Sequence, residues 1–98
     1  MSIRFEWDEA KALRNLHKHG VAFDDAAGVF SDPFAMMRQD RIEGGELRWQ
    51  TLGMVAGHLV LLVAHTVGET QDGMEVIRVI SARRADRKER QRYENQDD

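Results

Sequence analysis

The chain has 98 residues, with 14 Lys and Arg against 17 Asp and Glu, a net charge of -3 and no cysteine. A chain of this length forms a single domain, residues 1–98, around one core. The absence of cysteine excludes disulfides, thiolate nucleophiles and cysteine-ligated zinc. The acidic total at first disfavours a nucleic-acid partner, because phosphate-binding proteins usually carry a basic surface.

The charge is distributed unevenly along the chain. Residues 1–77 hold 7 basic and 12 acidic side chains, residues 78–92 hold 7 basic and 2 acidic, and residues 93–98 hold 3 acidic. The three segments therefore carry -5, +5 and -3. Since a charge acts over about one Debye length, roughly 8 Å at physiological salt, a partner meets the basic segment rather than the total. A phosphate-bearing partner is again compatible with the sequence.

The sequence predicts a protein that stays in the cytoplasm and does not enter a membrane. Its N-terminus lacks the basic region and apolar run of a secretory signal. Its most apolar stretch, residues 54–67, is interrupted by Gly57, His58 and His65 and is shorter than the roughly 20 apolar residues of a membrane span. We interpret this stretch as buried sheet.

The N-terminal third predicts a short strand followed by two helices. Residues 3–7 alternate between apolar and polar, and Asp8 is a good N-cap for a helix over Glu9–Lys18 that Gly20 ends. The apolar stripe of this helix is expected to consist of Ala10, Leu13 and Leu16, with Ala12 beside them. A second short helix over residues 23–30 is expected to end at Asp32-Pro33.

The rest of the chain predicts four strands and a basic helix. The strands are expected over Ala35–Gln39, Arg48–Val55, His58–Val67 and Met74–Ser81, with a turn over Asp40–Glu46. Their connections are too short for crossover helices, which favours antiparallel pairing. The last helix is expected over about residues 82–95, capped by Ser81. Its few apolar residues predict that it docks weakly on the sheet or binds a partner. The fold class is α+β, in the order β-α-α-β-β-β-β-α.

Two separated motifs resemble the BrnT-type toxins. The first runs through residues 5–11 and 15–23 to Asp32-Pro33, and the second comprises residues 45–48, Gly53, residues 77–85 and residues 89–93. The resemblance implies a RelE/ParE-like fold, with two N-terminal helices and a C-terminal helix on a mainly antiparallel sheet. The family pattern often has Ser or Thr before Phe23, where this chain has Ala22, which predicts a weaker cap on the second helix.

The resemblance also implies a function and partners. The chain would be the toxin of a type II toxin-antitoxin pair, a ribonuclease that needs neither metal nor cofactor and inhibits translation and growth. A BrnA-like antitoxin with a DNA-binding domain would neutralise it in a hetero-oligomer, with 2:2 as one option. That complex would repress its own promoter, so the toxin would meet operator DNA only through the antitoxin.

Metal-free RNA cleavage needs cations for the developing phosphorane charge and groups that carry protons. The predicted catalytic residues are His19, Arg48, Arg78 and Arg83, with Glu46 and Tyr93 in support. Arg78 interrupts an apolar strand, so it is either in an ion pair, with Glu46 as a candidate partner, or in contact with phosphate. His19 acts either in proton transfer or as a cation at a helix C-terminus. His17 and His19 lie on different helix faces, which disfavours a metal site.

The remaining basic residues leave several interpretations open. The predicted RNA-binding residues are Lys18, Arg84, Arg87 and Lys88. The basic run over residues 83–92 serves as an RNA track, as an antitoxin dock or as a solvated helix face. His58 and His65 lie seven residues apart in one predicted strand and therefore face opposite sides of the sheet, so one of them is expected in the core or under a helix.

A second hypothesis requires no catalysis. The chain would then be an inactive relative whose basic helix docks an acidic partner, acting only within a transcriptional repressor complex. Only the first hypothesis predicts RNA fragments with 2′,3′-cyclic or 3′-phosphate ends.

Overall fold

The computed structural model describes residues 2–96, which form a five-stranded sheet, three α-helices and a 3-10 helix. The elements are β1 (Ile3–Glu6), α1 (Glu9–His19), α2 (Phe23–Ala26), a 3-10 helix (Ala27–Ser31), β2 (Met36–Glu43), β3 (Glu46–Val55), β4 (Leu59–Glu69), β5 (Glu75–Arg84) and α3 (Arg87–Glu94). This confirms the predicted α+β class and element order. No helix in the described range is long and apolar enough to cross a membrane.

The strands lie in the order β1-β5-β4-β3-β2. β1 is parallel to β5, and the other neighbours are antiparallel, so the sheet is mainly antiparallel as predicted. β1 reaches only the first part of β5, from Glu75 to Arg78. The middle of the sheet is β4, whose side chains alternate between two faces.

The main core lies on one face, which we call the covered face and which is marked by Leu61, Val63 and His65 of β4. The helical layer packs against it through Phe23, Ala26 and Val29, among others. The 3-10 helix approaches β3 so closely that a Cβ on Gly53 would lie 2.8 Å from the Cβ of Val29. Glycine at this position therefore lets the helical layer pack directly on the sheet.

Asn15 joins α1 to the part of β5 that β1 does not reach. Its side-chain NH2 donates to the carbonyls of Ala82 (2.8 Å) and Val21 (3.0 Å), and its Oδ1 accepts from the Ala82 amide (3.1 Å). The amide side chain thus satisfies backbone groups that a neighbouring strand would otherwise pair. Asn15 is buried, and no periodicity in the sequence predicts this role.

The predicted apolar stripe of α1 is wrong. Leu13 and Leu16 are 65% and 45% exposed, and Ala10 is also exposed. The side that faces the core carries Asn15 and the partly buried Ala12. The helix ends are as expected: Asp8 accepts a hydrogen bond from the Lys11 amide, and Gly20 ends α1 in the left-handed conformation.

The C-terminal helix begins later than predicted. β5 continues through Arg84, which pairs with Leu61 of β4, so residues 82–84 are strand and Ser81 caps nothing. Asp86 caps α3 instead, in a reciprocal capping box with Glu89. The helix docks through one large side chain, Tyr93, which packs with Leu52, Val60 and Leu62 in a second cluster.

Two smaller boundaries also differ from the prediction. β2 extends through residues 40–43, so the turn before β3 is only Gly44-Gly45. The second helix is α-helical only over Phe23–Ala26 and continues as a 3-10 helix. As Ala22 predicts, no side chain caps α2.

His65 is the core histidine that the strand alternation predicted. It is fully buried, and its ring packs edge-to-face on the Phe30 ring, with 4.8 Å between the ring centroids. Nδ1 lies 3.2 Å from the Thr66 carbonyl, which only accepts, so Nδ1 carries the proton and Nε2 accepts from the Thr51 hydroxyl at 2.7 Å. Burial lowers the pKa of His65 below 6.5, against a smaller opposing effect of the Thr66 carbonyl.

Replacing Asn15 by Ala should lower the free energy of unfolding by about 2–4 kcal/mol, because the amide and carbonyl of Ala82 lose their partners in a buried place. Urea denaturation measures the change. Asn95→Ala, at the exposed end of α3, is the matched control and should change stability by much less. Equal losses in the two variants would contradict the bridging role of Asn15.

Stability should fall as the pH drops below 6.5, because the unfolded chain then binds a proton that the buried imidazole of His65 resists. The loss should continue down to the lowered pKa of the folded state and level off there. His65→Gln keeps one donor and one acceptor without titrating, so its unfolding free energy should depend less on pH in this window. Parallel pH profiles of the two proteins would refute this assignment.

Candidate functional site

The second face of the sheet, which we call the open face, is marked by Val60, Leu62, Ala64 and Thr66 of β4. The strand register arranges its side chains in three rows. The first row holds Met36, Leu52, Leu62 and Arg83; the second holds Arg38, Gln50, Ala64 and Ser81; the third holds Arg48, Thr66 and Arg78. Arg48 belongs to the third row because the antiparallel register pairs Trp49 with His65, so that the preceding residue, Arg48, lies beside Thr66. Three of the predicted catalytic residues therefore share this face.

Arg78 and Arg48 flank Thr66 in the third row, and both approach carboxylates. Arg78 forms a hydrogen-bonded salt bridge with Glu46, which is the ion-pair alternative predicted from the sequence. Both side chains of this pair are nearly half exposed. The Nη1 of Arg48 lies 3.9 Å from Oε2 of Glu43. The Nε of Arg48 is buried and has no hydrogen-bond partner among residues 2–96. The Arg78–Glu46 pair is therefore open to solvent, and the contact of Arg48 with Glu43 is at the outer limit of a salt bridge.

Arg83 lies at the other end of the face and is held more firmly. Its Nη1 and Nη2 donate to the two carboxylate oxygens of Glu89 at 2.8 and 2.9 Å. This bond lowers the pKa of Glu89, against the effect of burial, and raises that of Arg83. Because Glu89 also accepts from the Asp86 amide, the pair fixes the junction between β5 and α3.

The two arginine groups are separated by the middle of the face. Along β4, Leu62 and Thr66 are four residues apart, which corresponds to roughly 13 Å. Beside the first two rows, on the side of β2 and β3, lies a cavity of about 140 Å³ lined by Met36, Met37, Arg38, Gln50, Leu52, Leu62 and Arg92. Among the described residues, Arg38 and Arg92 have no carboxylate within 4.0 Å. The open face therefore carries cations near both ends and beside the cavity, and we call this surface, with the cavity and Arg38 and Arg92 on its rim, the groove.

His19 is not part of this cluster. It lies at the end of α1, whose Ala12 packs into the core on the covered face, whereas the three arginines project from the open face. No hydrogen bond among residues 2–96 joins His19 to Arg48, Arg78 or Arg83. The four predicted catalytic residues thus do not converge. The position of His19 in the last turn of α1 agrees with its alternative interpretation as a helix-terminal cation.

Tyr93 has a structural contact that sequence reasoning missed. Its hydroxyl donates to Asp32, which also accepts from the amides of Phe34 (2.9 Å) and Met54 (2.8 Å). Burial, together with the bond to Asp32, raises the pKa of Tyr93 to about 12. Burial acts to raise the pKa of Asp32, but the three hydrogen bonds lower it overall. Tyr93 therefore anchors α3 and is a poor proton carrier.

The predicted RNA-binding residues lie on two parts of the surface. Arg87 and Lys88 are exposed in the first turn of α3, beside the open face. Arg84 ends β5 and points to the covered face, because its partner Leu61 does so. Lys18 is exposed on α1. Sequence patterns do not predict that Gln50, Arg38 and Arg92 lie together, because their proximity depends on the strand register and on the docking of α3.

Comparisons with known proteins identify a family and a similar solved structure. The sequence model described as the ribonuclease toxin BrnT of type II toxin-antitoxin systems matches residues 7–89. The crystal structure of the Brucella abortus ribonuclease toxin BrnT is similar over 89% of this chain and 100% of that chain, with a TM-score of 0.60 and 25% sequence identity. A search of curated proteins finds no match.

Glu89→Gln should destabilise the protein by about 1–2 kcal/mol, because a charge-assisted bidentate pair with Arg83 becomes a neutral hydrogen bond. Chemical denaturation followed by circular dichroism measures this loss. The control is Glu94→Gln, which removes the same charge from an exposed position on the same helix. If both variants unfold at the same denaturant concentration as the parent protein, the pair does not hold α3.

Proposed function

The chain belongs to the BrnT family of ribonuclease toxins of type II toxin-antitoxin systems, and on that premise we propose that it cleaves RNA on the open face of its sheet. In this proposal Arg48 and Arg78 contact the scissile phosphate, Glu46 accepts a proton, and Arg83 contributes positive charge from the far end. The observation that carries the proposal is the shared face and row of Arg48 and Arg78.

The salt bridges on this face permit a phosphate to enter. An exposed ion pair contributes roughly 0–1 kcal/mol, and the Arg78–Glu46 pair is of this kind. A guanidinium binds phosphate through short, charge-assisted hydrogen bonds that are frequently bidentate. Arg78 can therefore exchange part of its contact with Glu46 for a phosphate oxygen at little cost, while Arg48 approaches the same phosphate across Thr66.

Glu46 is the carboxylate that the geometry favours as the base. When Arg78 turns toward the phosphate, the carboxylate beside it becomes available to the ribose. It would take the proton of the 2′-hydroxyl as the 2′ oxygen attacks phosphorus. The bond to the 5′ oxygen then breaks, and that oxygen takes a proton from solvent. The products would be a 2′,3′-cyclic phosphate, which hydrolyses to a 3′-phosphate, and a 5′-hydroxyl end.

Positive charge for the transition state comes in this proposal from arginines. Preorganised donors aimed at developing charge typically contribute 100- to 1,000-fold in rate. Arg48 and Arg78 supply such donors on either side of one position. We therefore propose that cleavage is independent of metal ions and of any cofactor, and that it continues in the presence of a chelator.

A toxin of a type II system has an antitoxin protein as its partner. We propose that a BrnA-like, DNA-binding antitoxin covers the open face and α3, so that the complex represses its own promoter and meets operator DNA through the antitoxin. The exposed Arg87 and Lys88 beside the groove favour an acidic segment of that partner, or RNA in its absence. Free toxin would cut RNA in the cytoplasm and so inhibit translation and growth, with Arg84 and Lys18 as peripheral RNA contacts.

One observation favours the alternative, a binding module without catalysis. Each of the three arginines already approaches a carboxylate, as purely structural arginines do. In that case the chain would act only within the repressor complex. The two functions differ in whether the free protein produces RNA fragments with 2′,3′-cyclic or 3′-phosphate ends.

Purified protein freed of antitoxin should cut single-stranded RNA, and Arg78→Ala or Arg48→Ala should slow cleavage by about 100-fold or more. Glu46→Gln should slow it by a similar factor, because general base catalysis contributes about 100- to 10,000-fold. Gel analysis of fragments with chelator present measures the rates, and circular dichroism checks the fold.

Arg90→Ala is the matched control, since it removes an exposed arginine of α3 that is not placed in the site. It should cleave at close to the parent rate. Undiminished cleavage by folded Arg78→Ala would overturn the assignment of the site, and absence of fragments from the parent protein would favour the binding module.

A further inference from the structure

We propose that the cavity in the middle of the open face is a nucleobase subsite, and that Gln50 selects adenine in it. The inference rests on the proposed RNA cleavage and deepens it, because it assigns the recognition of one nucleotide to residues outside the cleavage row. The residues concerned are Gln50 on the floor, Arg38 and Arg92 on the rim, and the apolar wall formed by Met36, Leu52 and Leu62.

The volume and the mostly apolar lining of the cavity suit a mostly apolar ring. The wall is aliphatic, and Leu52 and Leu62 are almost fully buried beneath Tyr93. Single-stranded RNA is recognised through bases that leave the stack and enter such places, where their edges form hydrogen bonds. Methionine adapts its shape to an irregular partner and makes favourable contacts with aromatic rings.

Gln50 has the hydrogen-bonding groups that such a ring needs. Its side chain is half-buried and has no hydrogen-bond partner within residues 2–96. A glutamine amide offers a donor beside an acceptor, which matches N7 and the N6 amino group of adenine in a bidentate pair. Guanine presents two acceptors at that edge, N7 and O6, and would leave the amide oxygen of Gln50 without a donor.

The cations around the cavity favour a nucleotide over an uncharged ligand. Arg38 and Arg92 have no salt bridge in the described part of the chain, although both line the cavity. Gln50 and Arg48 are two residues apart on the same face, which places the cavity roughly 7 Å from the cleavage row. A base in the cavity therefore has its own phosphate near the rim arginines and a neighbouring phosphate near Arg48 and Arg78.

The test compares the parent protein with Gln50→Glu and Gln50→Ala on a pool of randomised single-stranded RNA. Sequencing of the fragment ends should find adenine enriched about tenfold at one position relative to the cut site in the parent, because one bidentate pair discriminates by about that factor. Both variants should lose most of this enrichment, since glutamate lacks the donor for N7 and alanine lacks both groups. Unchanged enrichment in either variant would overturn the proposal.

Gln39→Glu is the control for added charge, because Gln39 is exposed on the neighbouring strand and faces the other side of the sheet. It should keep the adenine enrichment. A second measurement separates this inference from the proposed cleavage. Fluorescence anisotropy with uncleavable 2′-deoxy oligonucleotides should give tighter binding of oligo-adenine than of oligo-thymine, and Gln50→Ala should remove the difference. A parent that cuts no RNA would refute the cleavage, and equal affinities would refute the subsite.

Discussion

The central strand β4 sets the constraint on which the rest of the structure depends. Its side chains are apolar on both faces over residues 60–63, so both faces must be covered there. The N-terminal helices cover one face of this stretch, where Leu61 and Val63 are fully buried. The other face has only α3, which brings one large apolar side chain, Tyr93, and therefore covers only the first row around Leu62. The groove exists because the chain supplies too little apolar surface to close it.

The arginines of the open face are stabilised in two different ways. Arg83 is tied to Glu89 at a chain junction, where the bond also completes the cap of α3. Arg78 and Arg48 instead approach two different exposed carboxylates, Glu46 and Glu43, and such pairs contribute little to stability. The first arrangement fixes the geometry at one end of the groove, and the second leaves cations at the other end free to change partners. A site that binds an anion reversibly needs both.

The fold was predictable to the extent that local patterns decide it. Alternation, caps and the left-handed glycine Gly20 give the order of elements and the ends of α1. The start of α3 was missed because Ser81 is a good N-cap by residue type, while the pairing of residues 82–84 with β4 is a tertiary effect. The local signal for the true start was present, since Asp86 and Glu89 have capping-box spacing.

The site was predictable in its residue types but not in its geometry. Arg78 was recognisable as a charge in an apolar strand, and its pairing with Glu46 followed as one of two alternatives. The separation of His19 from the arginines required knowledge of which face each element occupies. The role of Asn15 was not predictable, because an amide side chain that pairs with the free edge of β5 has no characteristic sequence pattern. Since Asn15 is on the buried side of α1, Leu13 and Leu16 lie at the surface.

The acidic net charge is compatible with RNA binding because many of the carboxylates lie away from the open face. Coulomb interactions of exposed charges are largely screened beyond about one Debye length, so Asp8, Asp24 and Asp25 do not govern a phosphate on the open face. Carboxylates inside the groove neutralise several of its arginines, which reduces the nonspecific attraction that dominates most nucleic-acid binding. With this attraction weakened, affinity depends more on contacts with a base. In an acidic protein with paired arginines, a pocket that binds a base therefore contributes a larger share of the affinity for RNA than it does in a strongly basic protein.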